Sequence, residues 1–526
     1  MMKSTLQNLR KFFILSGIAL ATTLFVPGNL SAQGSEATYV VDAAKELNTI
    51  NKNIYGHFTE HLGRCIYGGI WVGEDSDIPN TRGLRNDVLN ALKKINPPVI
   101  RWPGGCFADT YHWKDGIGPR DERPVDVNMF WGNVLESNAF GTHEFMDFID
   151  QVGAEPYFAG NVGSGTPQEM GDWVEYLTYP GESTLANMRR ENGQDKPWVV
   201  KYWGVGNENW GCGGNMQADY YADLYRRFST YLRNYGKSDL YLVANGPSGR
   251  DLEWFDIMMR EASDMMDGVS IHYYTITHNW QDKGSSVDFT KEEWFMTLHS
   301  ALQIEELIQD YLTIMNKYDP EREIDMLVDE WGTWYNSLPN THGAFLEQQN
   351  TLRDALAAAA TLHIFNAHSD RIVMANIAQM VNVLQAMILT RDEQMVLTPT
   401  YHTFEMLKVH QDAMLLDAAL QTPKYGAGEE EIPQVSASAS KNDAGDINIS
   451  FCNFDPDQAI TVSGVLKNAE VGNIEGRVLT ADKINAHNTF DSPETLTPAS
   501  FSDFKRTDQG DRKSTRLNSS HRLRSR

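Results

Sequence analysis

The chain has 526 residues, of which 45 are Lys or Arg and 70 are Asp or Glu, so its formal net charge is -25 at pH 7. Its 13 Trp, 21 Tyr and 22 Phe exclude a mainly disordered chain, and its acidity argues against a nucleic-acid or anionic-membrane partner. Four Cys are too few for a disulfide scaffold at this length. We therefore expect a globular protein of two or more domains that binds a neutral or cationic ligand.

The first 32 residues have the pattern of a secretory signal peptide. Lys3, Arg10 and Lys11 give a positive start, and residues 12–26 form an uncharged, mostly apolar run that is short for a membrane span. We predict cleavage after about Ala32 and export to the periplasm or the extracellular space. An uncleaved N-terminal anchor is the alternative, and no later segment is apolar enough to span a bilayer.

Eight short β-rich runs follow, and helical patterns separate most of them. The runs are residues 54–58, 99–103, 156–160, 200–205, 240–244, 269–274, 326–329 and 372–375. The helical patterns are residues 84–95, 144–152, 218–235, 252–265, 298–318 and 344–365. This alternation indicates parallel pairing and predicts an α/β fold, a (β/α)8 TIM barrel over residues 51–395. An open doubly wound sheet is the alternative, but no Gly-rich phosphate loop follows a strand.

The pattern changes after about residue 396. Helical periodicity covers residues 401–416, and residues 435–439, 447–454, 459–465 and 476–479 then have the pattern of short strands between turns. We predict a jelly-roll-like β-sandwich over residues 396–510, joined by an N-terminal strand from residues 33–50. We expect the sandwich to be incomplete, because residues 511–526 resemble the translation of a sequencing adapter.

Polar and aromatic residues follow the predicted barrel strands, where the βα loops build the functional face of such a barrel. Aromatic faces beside amides and carboxylates suit a sugar ligand. Glu208 and Glu330 each end a strand about three βα units apart, so we expect them to face each other across the barrel mouth. Glycoside hydrolysis requires such a pair of carboxyl groups. A single Glu at a strand end is more often an ion-pair partner, but two at matching positions favour catalysis.

Two other chemistries can be proposed from the residues. His57, Glu60 and His61 match an H-x-x-E-H zinc pattern, but that pattern requires a helix, and this segment has the pattern of a strand and a turn. Cys106 follows two Gly residues and is a candidate nucleophile with His272 as its partner. The simpler interpretation of Cys106 is a residue that fills the pocket floor.

Six segments in order resemble glycoside hydrolase family 51, the α-L-arabinofuranosidases. They are HFTEHLGR at residues 57–64, RWPGGCF at 101–107, WGVGNE at 203–208, IHYY at 271–274, DEW at 329–331 and NIAQ at 376–379. The resemblance extends from residue 38 to about residue 505. It implies an exo-acting, retaining enzyme that removes terminal arabinofuranosyl residues from arabinan, arabinoxylan and oligosaccharides.

The resemblance also assigns roles to residues of this chain. It implies that Glu208 is the general acid/base and Glu330 the nucleophile. The predicted substrate-binding residues are Glu60, Cys106, Asn207, His272, Tyr274, Trp334 and Gln379. Many members have Asn where Cys106 stands, which argues against a side-chain contact there and leaves a backbone contact open. No metal or organic cofactor is expected, and family members are often hexamers.

Two other functions remain open at this point. The first is a related barrel enzyme, an endoglucanase or a β-xylosidase, and the second is a non-catalytic carbohydrate-binding protein. The presence of both Glu208 and Glu330 argues against the second, because binding alone does not require such a pair. A closed pocket would favour an arabinofuranosidase and a long open cleft an endoglucanase.

Overall fold

The structure is a computed structural model that describes residues 35–508 and 514–520. The predicted signal peptide, residues 1–32, lies outside the described residues. Within the described residues, no helix is long and apolar enough to cross a membrane.

A closed barrel of eight parallel strands forms the larger part of the fold. From first to eighth in chain order, its strands are Gly56–Phe58, Val99–Trp102, Glu155–Gly160, Tyr202–Val205, Tyr241–Ala244, Gly268–Thr275, Asp325–Thr333 and Ile372–Ala378. The eighth strand closes the barrel by pairing with the first, with Ala378 opposite Phe58. Each strand overlaps a predicted run, so the predicted barrel is confirmed. Because the strands are parallel, their C-terminal ends all lie at one rim.

Most of the helices are amphipathic and bury an apolar face, whereas Leu352–Ala367 is buried nearly all round. The helices described are Asn86–Ile95, Thr142–Val152, Pro167–Thr178, Thr184–Glu191, Ala218–Ser229, Leu252–Ala262, Lys291–Leu302, Ile304–Tyr318, Leu352–Ala367 and Pro399–Leu407. The helix Asn86–Ile95 is typical: Leu89, Leu92 and Ile95 are buried, and Asn96 ends it in a left-handed conformation. The helices Pro167–Thr178 and Thr184–Glu191 were not predicted.

Several predicted helix ends are wrong, because side-chain capping decides them. The helix predicted from residue 344 begins at Leu352. There the Thr351 hydroxyl accepts a hydrogen bond from Arg353 N at 3.2 Å, and the Asp354 carboxylate accepts one from Thr351 N at 2.7 Å. The helix predicted over residues 298–318 is two helices, which separate at Gln303. Apolar spacing does not detect such local breaks.

Seven strands form a second, mainly antiparallel sheet. In spatial order they are Ile447–Asn453, Val435–Lys441, Met414–Gln421, Ser35–Thr49, Ile460–Lys467, Ser514–Ser520 and Phe504–Asp508. The N-terminal strand pairs antiparallel with Met414–Gln421 and parallel with Ile460–Lys467. The predicted helix over residues 401–416 is shorter and ends at Leu407. The fold is therefore a barrel with a C-terminal sheet domain that also takes in the N-terminal strand.

Candidate active site

Glu208 and Glu330 meet at the C-terminal rim of the barrel. Glu330 lies within the seventh strand and is 5% exposed, whereas Glu208 follows the fourth strand and is partly buried. One carboxylate oxygen of each, with a ring nitrogen of His272, lies in a group of atoms that are all within 4.8 Å of one another. The structure thus brings together the two residues that the sequence singles out.

The loop after the fourth strand holds Glu208 in an uncommon backbone conformation. Gly206 has φ 98° and Glu208 has φ 42°, both in the left-handed region, which a residue with a Cβ adopts at a cost. The amide of Glu208 donates to Asn245 Oδ1 at 2.8 Å, which ties this turn to the end of the fifth strand. The turn directs the Glu208 carboxylate toward Glu330, with Oε1 at 2.9 Å from His272 Nδ1.

Three side chains fix the Glu330 carboxylate. Arg101 Nη1 donates to Oε1 at 2.7 Å, and the Tyr274 hydroxyl donates to Oε2 at 2.9 Å. His272 Nδ1 lies 3.5 Å from the same Oε2. Arg101 also donates through Nη2 to Asn207 Oδ1 at 2.7 Å. Both oxygens of Glu330 are therefore oriented by buried partners.

The charges of the site are strongly coupled. Burial raises the pKa of Glu330, while His272 and Arg101 act in the opposite direction. Burial lowers the pKa of His272, but the nearby carboxylates of Glu330, Asp329 and Glu208 outweigh it and raise that pKa to about 10. Burial likewise raises the pKa of Asp329, but Arg101 and His272 outweigh it and lower that pKa to about 2. His272 is therefore a cation at neutral pH, held between the carboxylates of Asp329 and Glu330.

Glu60 forms a second buried carboxylate in the same pocket. It accepts hydrogen bonds from Phe107 N at 3.1 Å, Trp131 Nε1 at 2.9 Å and Gln379 Nε2 at 3.0 Å. Burial, and then the charge of Glu330, raise the pKa of Glu60 to about 7. Three donors on a buried carboxyl hold it in one orientation, as a binding residue requires.

The buried polar atoms that have no hydrogen-bond partner within the described part of the chain include two side-chain amide atoms of the pocket. These two atoms are Nδ2 of Asn207 and Oε1 of Gln379, on side chains that are each 1% exposed. Buried polar groups are nearly always hydrogen-bonded, so an unpartnered donor and acceptor beside the carboxylates indicate a polar ligand. A sugar supplies hydroxyl groups for both.

Aromatic side chains form one wall of the pocket. Tyr274 and Trp334 pack edge to face with their ring centroids 4.9 Å apart. Trp280, which is 56% exposed, packs edge to face on Trp334 at 5.5 Å. The Lys283 ammonium lies 5.4 Å from the Trp334 ring centroid. The wall extends from the buried carboxylates to the solvent.

The cysteine at the rim is joined to another cysteine. Cys106 and Cys212 form a disulfide, and Cys65 and Cys452 are free and buried. A sulfur in a disulfide is not a free nucleophile, and Cys106 does not simply fill the pocket floor. The sequence does not indicate this pairing, since the two cysteines are 106 residues apart.

The H-x-x-E-H segment does not gather its side chains around one point. The His57 ring packs against Phe404 at 5.0 Å, and His61 Nδ1 lies 3.0 Å from Glu136. Glu60 instead faces the substrate pocket. The segment begins in the strand Gly56–Phe58 and continues without regular secondary structure, so its side chains point in different directions.

Sequence reasoning missed four contributors to the site, namely Arg101, Trp131, Cys212 and Asp329. Arg101 and Asp329 lie in strand-end motifs, so their position could have suggested them. Trp131 comes from the loop of a hairpin, Asp126–Asn128 with Val134–Glu136, that the sequence does not relate to the barrel mouth. The only sequence signal for Cys212 is its position shortly after the fourth strand, which makes it a second cysteine near the rim.

Comparisons with known proteins agree with this arrangement. The family model described as "Alpha-L-arabinofuranosidase 1 domain" matches residues 91–292, and the one described as "Alpha-L-arabinofuranosidase C-terminal domain" matches residues 329–517. A Bacteroides ovatus protein named "Intracellular exo-alpha-L-arabinofuranosidase" is 51% identical over 489 residues, which are 92% of this chain and 95% of that protein.

Solved structures give the same result. The GH51 arabinofuranosidase from Xanthomonas axonopodis pv. citri is 49% identical with a TM-score of 0.90, covering 92% of this chain and 97% of its own. An α-L-arabinofuranosidase from Thermotoga maritima, solved as an arabinose complex, is 30% identical with a TM-score of 0.78, covering 92% of this chain and 100% of its own. The similarity thus includes both the barrel and the C-terminal sheet.

The prediction of export is wrong. The Bacteroides ovatus relative, similar over nearly the whole chain, is named an intracellular enzyme. The prediction rests on composition alone, a positively charged start followed by an apolar run. Composition does not determine whether the export machinery recognises and cleaves a segment.

Proposed function

The chain belongs to the α-L-arabinofuranosidases of glycoside hydrolase family 51, and we propose that it releases terminal non-reducing α-L-arabinofuranosyl residues by double displacement at Glu330 and Glu208. The observation that supports this mechanism is the closeness of the two carboxylates, whose facing oxygens lie within 4.8 Å. Retaining enzymes hold their carboxyl groups about 5–5.5 Å apart, whereas inverting enzymes leave about 6.5–9.5 Å for a water. The site therefore suits a direct attack by a carboxylate.

Glu330 is the proposed nucleophile. Its carboxylate oxygen forms a bond to the anomeric carbon while the bond to the leaving oxygen breaks, and Glu208 gives its proton to that oxygen. Arg101 and Tyr274 support this role of Glu330, because their hydrogen bonds at 2.7 and 2.9 Å stabilise and orient the ionised carboxylate.

Glu208 is the proposed acid and then the base. After the first step it is a carboxylate and takes a proton from a water, whose oxygen attacks the anomeric carbon. The bond to Glu330 then breaks, and the sugar leaves with its original configuration. Both enzyme carboxyl groups return to their starting protonation states.

The pocket supports a single furanose as its ligand. We propose that Glu60, Asn207 and Gln379 bind the sugar hydroxyls, since the structure leaves Asn207 Nδ2 and Gln379 Oε1 without partners among the described residues. Trp334 and Tyr274 would cover its apolar face. Arabinan and arabinoxylan side chains carry such terminal residues, which would give the protein a role in hemicellulose degradation. A hexameric assembly remains a prediction.

The test is nitrophenol release from nitrophenyl α-L-arabinofuranoside, compared with the β-D-xyloside and the β-D-glucoside. We expect the arabinofuranoside to be cleaved by far the fastest. Glu330→Gln should lower kcat roughly 10⁴-fold or more, as removal of a nucleophile does. Glu347→Gln is the matched control, because this carboxylate pairs with Arg64 at 2.9 Å outside the proposed catalytic pair.

The other outcomes identify the alternatives. Preference for the xyloside or glucoside would favour a β-xylosidase or an endoglucanase. Activity that survives Glu330→Gln would show that the nucleophile is another residue. No turnover of any glycoside by a folded chain would favour a carbohydrate-binding protein.

A further inference from the structure

The two oxygens of Glu208 have different neighbours. Oε1 lies 2.9 Å from His272 Nδ1, whereas Oε2 lies 3.4 Å from the sulfur of Cys212 and 3.9 Å from the sulfur of Cys106. The two sulfurs are bonded to each other in this structure, and a disulfide sulfur has no proton to donate. One oxygen of the proposed acid/base thus lies against a cysteine pair that the reaction itself does not use.

We infer that Cys106, Cys212 and Glu208 bind a thiophilic divalent cation, such as Zn²⁺ or Cd²⁺, when the disulfide is reduced. The consequence rests on the proposed function: a bound cation occupies the oxygen that gives the proton, and it stops turnover. All three side chains are only partly buried, so a reductant and a hydrated cation can reach them from the solvent.

The distances from Glu208 Oε2 to the two sulfurs suit one tetrahedral ion. A Zn²⁺ ion lies about 2.3 Å from a thiolate and about 2.0–2.2 Å from a carboxylate oxygen, which places sulfur and oxygen about 3.6 Å apart. The observed distances from Glu208 Oε2 to the two sulfurs, 3.4 and 3.9 Å, bracket this value.

The two cysteines can also separate without moving the backbone. Two thiolates on one such ion lie about 3.8 Å apart by tetrahedral geometry. The Cα atoms of Cys106 and Cys212 are 5.4 Å apart, so rotation of the two side chains provides that separation. Water would fill the fourth position, since His272 faces the other oxygen of Glu208.

The switch between the two states is a balanced exchange. A dithiol or phosphine reductant supplies two electrons, the bond between the sulfurs breaks, and each sulfur takes up a proton, which the dithiol itself provides or, with a phosphine, one water provides. The dithiol becomes a disulfide, or the phosphine becomes its oxide by taking oxygen from water. When the cation binds, the two thiols release their protons to the solvent and bind as thiolates.

Cadmium titration of the full chain tests the site without any turnover. We expect the reduced protein to develop the ultraviolet band of a Cd²⁺–thiolate bond with one ion bound per chain, and the oxidised protein to show none. Cys212→Ser should abolish the band, with Cys106→Ser as the second variant if the first does not fold. Cys452→Ser, at a buried cysteine of the C-terminal sheet, should keep it. Glu208→Gln should weaken affinity by about tenfold or more.

Inhibition by Zn²⁺ tests the consequence. Reduced enzyme should lose activity as Zn²⁺ is added and regain it with a chelator, while oxidised enzyme should be unaffected. Equal cadmium binding by both forms would overturn the inference, because Glu208, His272 and Glu330 offer ligand atoms in either state. A folded protein that gains no reactive thiols on treatment with the reductant would also overturn it, because Cys65 and Cys452 are buried and any newly reactive pair must be Cys106 and Cys212. Neither result depends on whether the protein cleaves arabinofuranosides.

Discussion

Arg101 connects the two sides of the candidate site. One guanidinium nitrogen holds Glu330 at 2.7 Å and another holds Asn207 at 2.7 Å, while Nε lies 3.5 Å from Asp329. The guanidinium also lies over the Phe58 ring, 4.8 Å from its centroid. Such a planar group can contact two acceptors at once, which an ammonium group cannot do with the same geometry.

Arg101→Lys is therefore expected to impair catalysis while keeping the charge. Loss of one hydrogen bond to a charged group amounts to about 1.5–3 kcal/mol, so kcat/KM should fall roughly 10- to 100-fold. Steady-state kinetics on nitrophenyl α-L-arabinofuranoside measures this fall in kcat/KM. Arg82→Lys, at an exposed pair with Asp147, is the control. Unchanged kcat/KM in Arg101→Lys would contradict the orienting role.

His272 is expected to make stability fall on the alkaline side of neutrality. Its pKa is raised from 6.5 to about 10 because the attraction of Glu330, Asp329 and Glu208 exceeds the effect of burial. The folded state thus favours the imidazolium, so the stabilisation is complete below pH 6.5 and is lost as the pH rises toward 10.

The measurement is the melting temperature across this pH range. Between neutral and alkaline pH, the melting temperature of wild type should fall by roughly 2–4 °C more than that of His272→Gln. His112→Gln is the control, because His112 pairs with Glu169 at an exposed position where solvent screens the charge. Parallel melting curves for wild type and His272→Gln would contradict the prediction.

The sequence identifies Glu208 and Glu330 as a candidate pair because both follow closely on predicted strand runs, and the C-terminal ends of the strands of a parallel barrel share one rim. It does not identify Trp131 or Cys212, since loops bring these two to the site. Cys106 and Cys212 are 106 residues apart, and no local spacing indicates that their sulfurs meet. Proximity between loops depends on the folded path of both segments, which periodicity does not encode.

At the scale of elements, the barrel strands were predictable because each is a short apolar run that ends in polar residues. The helix boundaries were less predictable, because Thr351 and Asp354 start a helix through two hydrogen bonds that the apolar spacing does not indicate. Some strands also extend beyond the predicted runs. The seventh strand is Asp325–Thr333 and includes Glu330 itself. The nucleophile candidate is therefore held by the sheet and not by a loop.

The turn after the second strand passes very close to the seventh. A Cβ added at Gly105 would lie 2.7 Å from Oε1 of Glu330, closer than real Cβ contacts come. Gly105→Ala is expected to displace the carboxylate from Arg101 and to lower kcat roughly 10- to 100-fold, since loss of a hydrogen bond to a charged group amounts to about 1.5–3 kcal/mol.

The kinetics of Gly105→Ala should be compared with those of Gly472→Ala. A Cβ at Gly472 meets no heavy atom within 4 Å, so that variant should retain wild-type activity. Equal activity of the two variants would show that the backbone can yield at Gly105 without moving Glu330.

At the scale of the whole molecule, a buried histidine pair joins the barrel to the C-terminal sheet. His363, on the helix Leu352–Ala367, lies 2.8 Å from Ser436 Oγ and 2.8 Å from Ser450 Oγ. His410 lies 3.0 Å from that same Ser450 hydroxyl and 2.7 Å from Ser440 Oγ. Burial lowers the pKa of His363 to about 3 and that of His410 to about 4. Both imidazoles are therefore neutral at pH 7, and their neighbours in this junction are hydroxyl groups.

This junction is expected to make the protein sensitive to acid. A histidine whose pKa is lowered on folding stabilises the folded state above its ordinary value of 6.5, and this contribution is lost as the pH falls toward 3. His363→Gln keeps a polar side chain but cannot become charged. The variant should be less stable at pH 7 and should lose roughly 2–4 °C less than wild type between pH 7 and pH 4.5. Thermal melts at both pH values measure it, with the exposed His342→Gln as control. If His363→Gln and wild type lose the same number of degrees, proton uptake at this junction does not drive acid unfolding.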